Sequence, residues 1–285
     1  MTQTTSKIDA VRVSVLQARR EGKRIACVPT MGALHEGHLS LIDEAKKLAD
    51  YVVVTVFVNP TQFGPQEDFH KYPRPIEKDI AMCSSRDADL IFNPDVETMY
   101  PSTPGAKTFI EVPGLSEILE GAIRPGHFRG VATVVMKLFQ IVMPDVACFG
   151  SKDFQQLAVI KQMVRDLNSP IQIVGCPTIR ETDGLAMSSR NAYLSPEQRA
   201  VAIRLYEAMV FAKNQVTAGH SDLASIMSKM AEIITRDGAM TLDYAILANP
   251  TTLETLTQPQ PEMVALVAAR NGTTRLIDNM MMTPK

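Results

Sequence analysis

Two histidines three residues apart, His35 and His38, stand in the run Pro29-Thr30-Met31-Gly32-Ala33-Leu34-His35-Glu36-Gly37-His38-Leu39. The run begins where a short apolar strand ends and passes into a helix. In an open parallel sheet, ligands bind beyond the carboxyl ends of strands. Gly32 and Gly37 let backbone approach a ligand closely. The first N–H groups of the helix face an anion. Two imidazoles at this spacing can lie on one side of the helix start and address one phosphate. Two other readings stay open from this segment alone. His-x-x-His is compatible with a metal pair, although the zinc-protease spacing is one residue longer and no third ligand is apparent. Both histidines are also compatible with solvated cap residues.

The elements that must hold this run follow from periodicity. Apolar spacing predicts a helix from Ile8 to Arg20, stopped at Gly22, and a buried strand from Arg24 to Pro29. A helix from Leu39 to Leu48 comes next, then a β-branched strand from Tyr51 to Val58 whose continuity implies cover on both faces. A helix from Pro75 to Arg86, a strand from Leu90 to Phe92 and a helix from Val131 to Val142 are followed by a strand from Val146 to Phe149. A helix from Phe154 to Leu167 and a strand from Ile171 to Val174 complete this part. Strand–helix–strand repetition argues for an α/β fold, a Rossmann-like parallel sheet with helices on both faces. After Pro177 the pattern changes to helices from Pro196 to about Val216 and Leu223 to Thr235. Strands at Asp243 to Ala248, Met263 to Ala269 and Thr274 to Ile277 come last. These imply a smaller C-terminal α+β domain, with a boundary near 176–184 and domains of 1–176 and 177–285.

Composition limits the partners. The 285 residues carry 29 Lys plus Arg against 31 Asp plus Glu, a net charge of −2. The basic excess expected of a phosphate-backbone binder is missing, so nucleic acid is demoted as a partner. Cys27, Cys83, Cys148 and Cys176 are far apart and form no metal-ligand pair. Reduced, buried thiols in a cytoplasmic protein are the expectation. The start Met1-Thr2-Gln3-Thr4-Thr5-Ser6 lacks a basic region followed by an apolar stretch, so no signal peptide is expected. The longest apolar run, Val52 to Val58, is too short to span a bilayer, so no membrane role is expected.

His35-Glu36-Gly37-His38 after a strand resembles the HIGH-type motif of nucleotidyltransferases and class I aminoacyl-tRNA synthetases. Met187-Ser188-Ser189-Arg190-Asn191 resembles their second signature, a loop whose hydroxyls and cation close over phosphates. The planar fork of Arg190 can grip two oxygens. On its own, Ser-Ser-Arg is an ordinary cap or loop.

A longer resemblance covers nearly the whole chain and is to the pantoate–β-alanine ligase family. It rests on Pro29 through His38, Phe57-Val58-Asn59-Pro60-Thr61-Gln62-Phe63, Tyr72-Pro73-Arg74 with Asp79, and Arg124 through Val135. Gly150-Ser151-Lys152-Asp153-Phe154-Gln155-Gln156 and Met187 through Asn191 follow in order, and Ala269-Arg270 and Thr274 through Asn279 end it. Ser151 departs from the Glu or Gln associated with its position.

The resemblance implies an ATP-dependent ligase that condenses (R)-pantoate with β-alanine through a pantoyl adenylate, releasing AMP and diphosphate. It implies catalytic roles for His35, His38, Lys152 and Arg190. It implies an ATP site of Met31, Gly32, Ala33, Leu34, His35, Glu36, Gly37, His38, Gly150, Ser151, Lys152, Asp153, Ile179, Met187, Ser188, Ser189 and Arg190. Gln62 and Gln156 map to pantoate, and Gln62 also to β-alanine. An amide suits a hydroxyl and a carboxylate because it offers donors and an acceptor without charge. Magnesium is expected to bridge ATP oxygens, with Asp79 as its candidate protein anchor. A homodimer is implied by the family alone. His70, His127 and His220 receive no role. An adenylyltransferase with a phosphate acceptor would share the histidine and Ser-Ser-Arg motifs but would not need Gln62 and Gln156. A tRNA-charging enzyme lacks support from any basic surface. A nucleotide-binding regulator without catalysis is opposed by the intact His35, His38, Lys152 and Arg190.

Overall fold

The computed structural model describes residues 2–65, 67–102 and 108–284. Two compact units divide the chain. One comprises Met1–Ser151 and Gln155–Pro177, the other Lys152–Phe154 and Thr178–Lys285. This differs from a single cut after residue 176 in two respects, the first being that Pro177 stays with the first unit. Lys152–Phe154 groups with the second unit, where Asn279 Nδ2 donates to the Lys152 carbonyl at 2.8 Å.

The first unit runs β1 (Gln3–Thr5), α1 (Ile8–Arg20), β2 (Ile25–Thr30), α2 (Glu36–Leu48), β3 (Tyr51–Val56), α3 (Ile76–Ser85), β4 (Leu90–Phe92), α4 (Val96–Met99), α5 (Glu120–Ile123), α6 (His127–Val142), β5 (Val146–Gly150), α7 (Phe154–Asp166) and β6 (Gln172–Cys176). The six strands form one sheet in the order β1-β4-β3-β2-β5-β6, with every neighbouring pair parallel. Successive side chains of β2 face opposite sides. Ile25 and Cys27 join a core with α1, α6 and α7, while Ala26 and Val28 join a second core with α2. Both faces of the sheet are therefore covered, as the unbroken β-branched run of β3 implied.

The chain proceeds outward from β2 to β3 and β4 on one side and to β5 and β6 on the other. Beside β2, between β3 and β5, the strand order reverses, and crevices at such points take ligands beyond the strand C-termini. The histidine run leaves β2 there, and Ser151 leaves β5.

Differences from the expected elements have local causes. β1 has only three residues, too few to show a period, and exists through its pairing with β4. α2 starts at Glu36 rather than Leu39, because the cap at His35 precedes the first apolar position. α6 starts at His127, four residues before the expected Val131. The early start depends on Gly130. A Cβ there would lie 2.4 Å from the Thr61 carbonyl oxygen and 2.7 Å from Gln62 Cα. Glycine thus lets α6 abut the 3-10 turn Pro60–Gln62.

The second unit contains the 3-10 turn Ser189–Tyr193, α8 (Pro196–Ala202), α9 (Arg204–Thr217), α10 (Leu223–Thr235), β7 (Thr241–Ala248), β8 (Met263–Asn271) and β9 (Thr274–Met282). The single helix expected from Pro196 divides at Ile203 into α8 and α9. The strands form an antiparallel sheet, β7-β8-β9. Its core joins Val267 and Ala269 of β8 to Leu205 and Met209 of α9 and Ile226 and Met230 of α10.

Candidate active site

The loop between β2 and α2 holds its shape by an unusual route. Gly32 has φ of +80° and Ala33 has φ of +51°. Left-handed backbone costs a non-glycine residue about 1–2 kcal/mol. Asp79, in the first turn of α3, compensates. Its Oδ2 accepts from the Ala33 N–H at 2.9 Å and its Oδ1 from the Leu34 N–H at 2.8 Å. A side chain at position 32 would collide with this carboxylate, since a Cβ would stand 2.8 Å from Asp79 Oδ2. Glycine is therefore required twice, for its φ and for its size.

These contacts give Asp79 a structural task within the first unit. The residue is 1% exposed, and each of its oxygens already binds a loop N–H. No group of three or more His, Cys, Asp or Glu suited to a metal ion occurs among the described residues. Asp79 thus shapes the histidine loop.

His35 caps α2, its Nδ1 accepting from the Gly37 N–H at 3.1 Å. His38 Nδ1 accepts from the His35 N–H at 3.4 Å. A ring nitrogen that accepts from an N–H carries no proton. In their neutral forms both rings hold the proton on Nε2. The rings are adjacent, with centroids 4.1 Å apart. Backbone geometry thereby sets two neighbouring N–H donors at the start of a 13-residue helix, where the helix dipole favours negative charge.

Gln62 is tied to the same loop. Its Nε2 donates to Met31 Sδ at 3.2 Å, and its Oε1 accepts from Asn59 Nδ2 at 3.1 Å. Asn59 is buried and fully used. It also donates to the Gly130 carbonyl at 3.1 Å and accepts from the Tyr100 hydroxyl at 2.9 Å. The amide of Gln62 is thus oriented by one buried side chain and directed at Met31 of the histidine run.

The segment after β5 is similarly divided between structure and chemistry. The Ser151 N–H donates to the Cys176 carbonyl at 2.8 Å, which extends the β5–β6 pairing by one step. Gln155 is buried, its Oε1 accepting from the Glu120 N–H and its Nε2 donating to the Leu115 and Ile118 carbonyls. With its amide saturated, Gln155 is a structural residue. Its neighbour Gln156 is half-buried in the first turn of α7.

In the second unit, residues 179–187 form a tight hairpin. The Met187 N–H donates to the Ile179 carbonyl at 3.0 Å, and Arg180 pairs with Ala186. Arg180 grips the buried Asp278 of β9 through two bonds of 2.6 and 3.0 Å. Beyond the hairpin, Ser188 Oγ caps the 3-10 turn by accepting from the Arg190 N–H at 3.3 Å. Asn191 Nδ2 ties that turn to Glu181 Oε1 and to the Ala186 carbonyl, both at 3.1 Å. Met187 to Arg190 are therefore presented on a braced support.

The structure brings together His35 with His38, Met31 with Gln62, and Ile179 with Met187. Lys152 and Asp153 lie in the link between β5 and α7, while Gly150 ends β5. Sequence reasoning missed the loop-shaping role of Asp79 and the orienting role of Asn59. Both residues lie in the quoted motifs, but Asp79 acts on distant backbone N–H groups and Asn59 on a side chain three residues away, and no periodicity points to either contact.

The model of the pantoate-beta-alanine ligase family matches residues 3–281. A pantothenate synthetase of Aeromonas hydrophila is 50% identical over 274 residues, covering 96% of each chain. One of Desulfitobacterium hafniense is 50% identical over 276 residues, covering 97% of each. Among solved structures, a pantothenate synthetase of Thermus thermophilus superposes with a TM-score of 0.93 at 45% identity, covering 98% of this chain and 99% of that one. The pantoate-beta-alanine ligase of Francisella tularensis, complexed with beta-gamma ATP and beta-alanine, gives 0.80 at 35% identity over 99% and 98%.

Proposed function

The chain belongs to the pantoate-beta-alanine ligase family, and on that premise we propose that it condenses (R)-pantoate with β-alanine at the expense of ATP. A carboxylate is a poor acyl electrophile, so the acid must first be activated. A pantoate carboxylate oxygen attacks the α-phosphorus of ATP, and the bond from that phosphorus to the bridging oxygen breaks to release diphosphate. The β-alanine amine, in its neutral form, then attacks the acyl carbon of the adenylate. The acyl–oxygen bond breaks, AMP leaves, and the nitrogen loses a proton to give the amide. Positioning and charge neutralisation are the protein's main tasks.

The residues divide those tasks. His35 and His38 donate from Nε2 to the triphosphate, and His38 supports the charge that gathers on the departing diphosphate. Lys152 meets the α-phosphate or the attacking carboxylate. Ser188, Ser189 and Arg190 bind phosphate oxygens. Met31 through Leu34, Glu36, Gly37, Gly150, Ser151, Asp153, Ile179 and Met187 complete the ATP contacts, with Asp153 accepting from ribose. Gln62 and Gln156 hold the pantoate hydroxyl and carboxylate, and Gln62 also meets β-alanine. Magnesium, if bound with ATP as part of that substrate, would supply neutralisation of phosphate charge.

The contact of Gln62 with Met31 carries this reading. It puts a neutral, pre-oriented amide against the loop that bears the phosphate-directed histidines. That arrangement suits an acid with a hydroxyl rather than a phosphate acceptor. Cytoplasmic placement is supported by four free, buried cysteines, and no helix among the described residues is long and apolar enough to cross a membrane. A homodimer is supported by the family resemblance. The test is a product assay with ATP, a magnesium salt, (R)-pantoate and β-alanine. Pantothenate and AMP in equal amounts are expected, and formation of ADP with phosphate would overturn the AMP-forming route.

A further inference from the structure

We propose that His127 is a positioning residue for the reaction, fixing Gln62 through a hydrogen bond from the imidazole to the Gln62 backbone carbonyl. The inference rests on the assignment of Gln62 to pantoate and β-alanine.

His127 is the first residue of α6. Its Nδ1 lies 2.8 Å from the Gln62 carbonyl oxygen, and its Nε2 lies 3.1 Å from Arg124 Nη1. Arginine can only donate and a carbonyl can only accept. The ring must therefore be neutral with its proton on Nδ1, the opposite tautomer from His35 and His38. Arg124 is itself anchored. Its Nε and Nη2 each donate to a Glu67 carboxylate oxygen at 2.6 Å. Its Nη2 also reaches the Gln62 carbonyl at 3.4 Å.

Glu67, Arg124 and His127 thus form a relay of contacts that ends on the backbone of Gln62. Asn59 holds the side-chain amide of the same residue. Gln62 is gripped at both ends, and Gly130 brings α6 flush against it. Burial, joined by the Arg124 charge, pushes the His127 pKa down to about 4, against the pull of the Gln62 carbonyl, Glu67 and Glu120. The neutral ring that the hydrogen bonds demand is the form present at neutral pH.

Two isosteric substitutions separate the two bonds. His127→Asn places an amide N–H near the position of Nδ1 and preserves donation to Gln62. His127→Gln places its amide near Nε2 and loses that donation. In pantoate-dependent exchange of labelled diphosphate into ATP, His127→Gln should raise the pantoate KM at least about tenfold with a smaller change in kcat. His127→Asn should stay within about threefold of the parent protein. Equal behaviour of the two variants, or a loss confined to kcat, would overturn the proposal. A wild-type protein with no exchange would instead count against the assigned reaction. Nitrogen NMR of the histidine-labelled wild-type protein tests the inference without any substitution. A proton on Nδ1 of His127 is expected, and an Nε2–H tautomer would overturn it.

Discussion

His38→Ala and Lys152→Ala should each lower pantoate-dependent adenylate formation by about 10²- to 10³-fold, with little change in thermal stability. The two effects can be separated because neither side chain carries the fold. His38 Nδ1 accepts one long bond of 3.4 Å, while the principal cap of α2, from His35 Nδ1 to the Gly37 N–H, survives the substitution. Lys152 is held through its backbone carbonyl, which accepts from Asn279, and alanine keeps that carbonyl. On the proposed assignment, each variant loses a donor to developing charge. A donor prepared in advance is worth most at the transition state, because it needs no reorganisation as diphosphate departs. The loss should fall on kcat more than on the KM for ATP. Circular dichroism and melting curves report folding, and exchange of labelled diphosphate reports chemistry. Near-normal exchange in either variant would remove that residue from the catalytic set.

Asp79→Ala should damage both stability and activity. Its carboxylate accepts from two N–H groups, those of Ala33 and Leu34, in a loop whose residues 32 and 33 are left-handed. Removing one partner of a buried hydrogen bond costs about 1–3 kcal/mol, so two bonds suggest a loss of roughly 2–4 kcal/mol. The melting temperature should fall by several degrees. With its brace gone, the loop would lose the setting of Met31, His35 and His38, and exchange should fall with it. Asp79→Asn should lie between, because an amide retains one accepting oxygen and turns a donor toward the other N–H. A magnesium anchor would behave differently. It would raise the magnesium concentration needed for activity and leave the melting point of the ATP-free protein unchanged. That second pattern would contradict the loop-shaping role.

Most of the first unit was legible because its strands are strongly patterned. Tyr51 to Val58 is β-branched and continuous, and a strand buried on both faces must be so. The helix of Ile8 to Arg20 matched end to end, since its apolar positions and Gly22 bracket it. Boundaries failed where a side chain outside the apolar period does the work. His35 starts α2 by capping, and Gly130 lets α6 begin at His127 by removing a Cβ from the path of Thr61. The three residues of β1 have no period at all. The break at Ile203 was equally invisible, because α8 and α9 carry a continuous apolar pattern.

The candidate site shows the same division. Residue types suited to chemistry stand out locally, as the proposed His35, His38, Lys152 and Ser188-Ser189-Arg190 do. The residues that aim them do not. Asp79 acts on backbone 45 and 46 positions away. Asn59 acts on Gln62 by a side-chain bond that composition cannot predict. His127 stands in its motif with no role that sequence can show, because its tautomer is set by Arg124 and by a carbonyl. Buried Gln155 and half-buried Gln156 are adjacent and of one type, and only the three backbone partners of Gln155 distinguish structure from chemistry.

The most direct measurement is isotope exchange between labelled diphosphate and ATP, with pure protein, a magnesium salt and no β-alanine. Formation of a pantoyl adenylate is reversible and needs only pantoate and ATP. Label should therefore enter ATP when (R)-pantoate is present and stay out when it is omitted. Production of pantothenate in the complete mixture, with no pantoate-dependent exchange in the absence of β-alanine, would contradict the adenylate route.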